Sequence, residues 1–173
     1  MIILRPVVMF WVIIINLILQ STLFQYIEIL NIKPNSSILL IVSYAILRGD
    51  IEGSIFGFVT GLMQDIFFGK FIGLYALFGL LVGFFCGMPF KNFFRENIIL
   101  SFILTASVTF IYGFAFYVTN FLFRGKLDFY YYFNKIILPE TVYTTFLSVA
   151  FYALLYFINQ KVEEIEKLNR KVF

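Results

Sequence analysis

The stretch Arg48 to Gly73, RGDIEGSIFGFVTGLMQDIFFGKFIG, restricts the fold more than any other part of the chain. Glycine falls at 49, 53, 57 and 61, Asp65 takes the next place, and Gly69 and Gly73 complete the series. A four-residue step inside an apolar segment sets small residues along one diagonal of a helix, where a neighbouring backbone can approach closely. Each glycine costs a helix up to ~1 kcal/mol relative to alanine, so close packing has to compensate. Gly79, Gly83 and Gly87 repeat the step in the next apolar run. Two glycine-striped helices joined by a few residues predict an antiparallel pair in close contact.

Four residues advance an ideal helix by ~400°, so the row drifts ~40° per step and turns through ~160° from Gly49 to Asp65. One straight neighbour cannot follow all of it. The row therefore reads as two contacts in sequence: Gly49, Gly53 and Gly57 on one neighbour, and Gly61, Asp65 and the Gly69 turn on another. The second half is the expected place for a partner protein.

What solvent such a pair folds in follows from composition. With 61% hydrophobic and only 13% charged residues and a mean hydropathy of +0.93, the chain has more apolar surface than a soluble core of this size needs. The bilayer is the expected solvent. The 25 Phe and 11 Tyr then read as lipid-facing bulk and interfacial anchors. A net charge of +3, scattered along the chain, offers no basic patch for nucleic acid. Histidine is absent, which removes the commonest general base and metal ligand. The single cysteine, Cys86, reads as a small buried hydrophobe.

The expected fold is an all-α integral membrane protein, a bundle of about six transmembrane helices over 6–27, 34–47, 50–68, 71–90, 97–120 and 139–159. A charged amphipathic helical tail over 160–173 follows. The first apolar run lacks a cleavage site and reads as a retained helix. Its Asn16 and Gln20, one turn apart, mark a side that faces protein. Helix 34–47 is only ~21 Å long against a hydrocarbon core of ~30 Å; spanning is favoured over a re-entrant piece. Phe121 to Leu138, with the cluster LDFYYYF, reads as a connection or a short helix in the headgroup plane. Glu140 then lies near a helix N-terminus, where its charge suits the dipole. With both termini cytoplasmic, eight Lys and Arg lie inside and five outside, in the direction of the positive-inside rule.

Acids at membrane depth are functional candidates, because burying one is costly unless it is paired or protonated. Asp65 has three readings: an acceptor for a neighbouring helix terminus or a partner of Lys70, a contact with a partner or ligand, or a relay group. At the inner boundary Asp50 can satisfy orphan backbone N–H groups and pair with Arg48, beside Glu52. No nucleophile elbow, phosphate loop, metal-ligand cluster or catalytic carboxylate pair is present, so neither enzyme activity nor a cofactor is expected. The polar groups available to line a ligand cavity are Asn16, Gln20, Gln64, Asp65, Asn120 and Glu140.

From Gly53 the series runs G-x3-G-x3-G-L-x2-D-x3-G-x3-G, followed by Leu74, Ala76 and Leu77. With the Pro34-Asn35 start of the second helix and the hydropathy pattern, the chain resembles the MreD family of rod shape-determining membrane proteins. The motif match covers about Pro34 to Leu77. The resemblance implies a non-enzymatic scaffold of cell elongation in the bacterial cytoplasmic membrane. It also implies MreC as partner, with MreB filaments and the RodA and penicillin-binding protein synthase complex as further contacts. The family looks similar in architecture to the substrate-binding subunits of energy-coupling-factor transporters. A small-molecule binding subunit of such a transporter is therefore the alternative function.

Overall fold

The computed structural model describes residues 4–22, 26, 32–69, 73–88, 98–120 and 129–171. Six helices account for nearly all of them: α1 (Leu4–Ser21), α2 (Ser36–Arg48), α3 (Asp50–Phe68), α4 (Leu74–Gly87), α5 (Ile98–Asn120) and α6. The last is continuous through an α-helical turn (Phe129–Tyr132), a π-helical turn (Phe133–Ile137) and a long α-helical segment (Leu138–Lys171).

The centre of the bundle is α2. All 13 of its residues are buried, Ser36, Ser37, Ser43 and Arg48 among them. It touches each of the other five helices. Its N-terminus is capped by Asn35, whose side-chain oxygen accepts from the Ile38 N–H at 3.3 Å. Its C-terminus is closed by Gly49, whose N–H donates to the Ala45 carbonyl at 2.7 Å. The same glycine accepts from the Gly53 N–H at 2.9 Å, so one residue ends α2 and opens α3. Its φ of +90° is strained for any residue with a Cβ.

The polar side of α1 docks on this central helix. Asn16 donates to Ser37 Oγ at 3.2 Å, and Ser37 in turn donates to Gln20 at 3.2 Å. The side of α1 read from sequence as protein-facing is the side that meets α2.

Proline at 139 does not start a helix, as the sequence had suggested. A proline inside an α-helix removes one N–H and crowds the carbonyl four residues back. Here the preceding turn widens instead, and the Leu138 N–H bonds back five residues to the Phe133 carbonyl. The helix therefore runs unbroken from Phe129, and the expected connection is helical over its second half. Phe121 to Asp128 lie outside the described residues.

The surface of the bundle is apolar, and small hydroxyl side chains are buried among its apolar core residues. Ile51, Phe67, Ile99 and Phe146 are each more than 60% exposed, whereas Thr60, Ser101, Thr105, Thr109, Thr144 and Ser148 are almost wholly buried. Such an extent of exposed apolar surface is unlike that of a water-soluble protein. By length and composition two helices, Ile98–Val118 and Phe129–Lys167, are able to cross a membrane. The latter has 39 residues, ~58 Å at 1.5 Å per residue, so it projects beyond a hydrocarbon core of ~30 Å.

Candidate functional site

The two glycine rows meet each other along their length. Gly49 and Asp50 lie against Gly87, Gly53 against Gly83, Gly57 against Gly79, and Gly61 against Tyr75 and Ala76. The steps run in opposite directions, so α3 and α4 are antiparallel. A Cβ on Gly53 would lie 2.8 Å from the Gly83 carbonyl oxygen, and one on Gly57 would lie 2.7 Å from the Gly79 carbonyl carbon. These are backbone-to-backbone contacts that any larger residue would push apart. The pair also sits on α2: added Cβ atoms at Gly53 and Gly57 would come within 2.9 Å of Ala45 Cα and 3.2 Å of Ile41.

This geometry corrects the reading of two successive neighbours. All four levels from Gly49 to Gly61 face α4. The drift of ~40° per step holds against a straight, featureless neighbour. Because α4 carries the same four-residue step, its row drifts in register with that of α3, and contact persists.

Asp65 completes the row in a different way. Its Oδ2 accepts from the N–H groups of Gly73 at 3.0 Å and Ala76 at 2.9 Å, and its Oδ1 accepts from Tyr75 at 3.1 Å. Gly73, at φ +106°, precedes α4 and has no side chain to cap it. An acid from the adjacent helix takes over that role, 99% removed from solvent and placed where the dipole favours it. Of the three readings of Asp65, the geometry is that of an acceptor for a neighbouring helix terminus. Lys70, its other suggested partner, lies outside the described residues. Gly69 caps α3, its N–H donating to the Asp65 carbonyl at 3.0 Å.

Beside this cap lies a polar cavity of about 430 Å³. Asn35, from the start of α2, is its hub. Its backbone N–H donates to Thr144 at 3.2 Å, and its side chain hydrogen-bonds with Glu140 of α6 and Tyr112 of α5. Gln64 and Gln20 meet at 3.4 Å on the facing wall. Tyr75, Tyr112 and Phe116 form an aromatic wall with ring centroids 5.9 to 6.3 Å apart. Tyr132, Ile136 and Glu140 reach the cavity from one face of α6, at a four-residue step carried through the π turn.

Of the six polar residues singled out from sequence, the structure brings Gln20, Gln64 and Glu140 to this cavity. Asn16 is bonded to Ser37 and Asp65 caps α4; the Asn120 side chain lies outside the described residues. Asn35 and the three tyrosines were missed. Glu140 was misplaced: it is in the interior of a helix that begins eleven residues earlier. The run FYYYFNKII before Pro139 has the apolar content to extend that helix, and it was the available signal.

At the opposite end of the bundle, Arg48 is buried at the close of α2. It pairs with Glu163 of α6 at 3.4 Å and, more weakly, with Glu52 of α3 at 3.9 Å. The sequence had suggested Asp50. Tyr44 also donates to Glu52, at 3.4 Å. Nearby, Met9, Phe10 and Ile13 of α1 and Ile55, Phe56 and Val59 of α3 enclose an apolar groove of about 510 Å³. Among the described residues no group of His, Cys, Asp and Glu could hold a metal ion.

Residues 1–162 of the 173-residue chain match the family model of rod shape-determining protein MreD. Comparison with curated proteins and with solved structures gave no significant match.

Proposed function

The chain belongs to the MreD family of rod shape-determining proteins, and from that membership we propose that it is a non-enzymatic scaffold of the bacterial cell-elongation machinery. The family is one of membrane proteins. On this reading the chain lies in the cytoplasmic membrane as six spans with both termini inside. It binds MreC and helps couple MreB filaments to the RodA and penicillin-binding protein synthase. The observation that carries the reading is the family match over residues 1–162.

Two features support it. Gln20, Asn35, Gln64, Tyr75, Tyr112 and Glu140 come from all six helices and gather at one end of the bundle, as six alternating spans would place them. The α3–α4 pair exposes apolar side chains on its outward faces, among them Ile51, Ile66 and Leu77. The glycines and Asp65 serve partner binding by holding that pair together. The apolar groove between α1 and α3 is the proposed seat for the single span of MreC.

The polar cavity favours one other reading, a small-molecule binding subunit with the architecture of energy-coupling-factor transporters. Cell shape separates the two. In cells relying on this chain, Gly57→Leu is expected to turn rods into spheres, while Phe67→Leu leaves them rods. Normal rods with both variants would remove the scaffold reading.

A further inference from the structure

We infer that the polar cavity, lined from all six helices, is a binding site for a molecule carrying an ammonium group, with Glu140 as the counter-ion. The inference holds whether the chain acts as a scaffold or as a transport subunit.

Three observations converge. The first is size: about 430 Å³ lies within the range of ~300–1,000 Å³ that small-molecule sites occupy.

The second is charge. Among the described residues Glu140 is hydrogen-bonded by the amide of Asn35, and no cation pairs with it. A largely buried carboxylate held by a neutral amide is costly, and a cationic ligand would relieve that cost.

The third is the wall. Tyr75, Tyr112 and Phe116 gather their rings beside Glu140, and aromatic faces attract a cation most strongly where water is excluded. Lys33 also lines the cavity but is exposed, at the rim. Its charge directs the ammonium end inward and leaves the rim to a neutral or anionic part of the same molecule.

Ammonium chemistry has two sources, a free amine and an amine lipid headgroup. The full chain, purified in detergent, is titrated with phenethylamine, with neutral 2-phenylethanol and with anionic phenylacetate. In parallel, native mass spectrometry compares retention of phosphatidylethanolamine and phosphatidylglycerol. The expected result is a preference of about tenfold, equivalent to ~1.4 kcal/mol, for the amine in at least one arm. Preference in the first arm alone identifies a free amine; preference in the second alone identifies a lipid headgroup.

Glu140→Gln is expected to abolish the preference for the amine over its neutral analogue. If that variant fails to fold, the wild-type comparison still decides. No preference for the amine in either arm, or a preference retained in folded Glu140→Gln, overturns the inference.

Discussion

Gly57 and Gly79 meet backbone to backbone, and a methyl group on either would collide with the carbonyl of the other. No flexible side chain lies between them to give way. Gly57→Ala is therefore expected to cost about 2 kcal/mol through overpacking, lowering Tm by roughly 5 °C. Leucine at the same place should prevent stable folding. Phe67→Leu, at a largely exposed position, should leave Tm within ~1 °C of wild type. Thermal unfolding of the three proteins in one detergent checks the order.

Gly73 makes the opposite case. Nothing lies within 4 Å of the place its Cβ would take, yet its φ is +106°. The cost of substitution is one of backbone conformation alone, so Gly73→Asn should be milder than Gly73→Val. If valine and asparagine shift Tm equally, the strain argument fails.

Asp65→Ala removes the acceptor for three N–H groups at the start of α4. A hydrogen bond to a charged group contributes ~1.5–3 kcal/mol, so this single change should cost about 4 kcal/mol. Asp65→Asn keeps one acceptor oxygen and should fall between alanine and wild type. Hydrogen exchange at Gly73, Tyr75 and Ala76 is the local readout, and it should accelerate in both variants.

Arg48 ties the far end of α6 to the core through Glu163. Glu163→Ala leaves the buried guanidinium with only the longer contact to Glu52, and the loss of its closer acceptor costs ~1–3 kcal/mol. The end of α6 should then lift, and trypsin should cut after Lys161 sooner than in wild type. The double variant Arg48→Leu, Glu163→Ala should recover part of the loss, since replacing a buried pair by apolar groups is often neutral. Unchanged cleavage in Glu163→Ala would show that this pair does not anchor the tail.

Much of the bundle was legible because its signals are local. The four-residue glycine step announced a tight antiparallel helix pair, and Asp65 stood out as an acid in a packing row. Asn16 and Gln20 marked the docking side of α1. What one helix does not carry is the shape of its neighbour. The glycine row drifts away from a straight partner, whereas the matching row on α4 keeps the two in contact. Proline is commonest at a helix start, whereas at Pro139 the π turn before it accommodates the missing N–H inside the helix. A helix start there would move Glu140 from a helix interior to a helix end. It would also hide the cavity, whose tyrosines come from three helices and share no sequence pattern.

The central claim, that this chain is a membrane scaffold which holds MreC, is tested most directly by what accompanies it. The full chain, tagged after Phe173, is purified under mild detergent from the native membrane, and its companions are quantified by mass spectrometry. The account predicts MreC in near-equal amount with wild type, and its loss with folded Val59→Trp, which fills the groove between α1 and α3. Recovery of the intact, folded wild-type chain without MreC would contradict it.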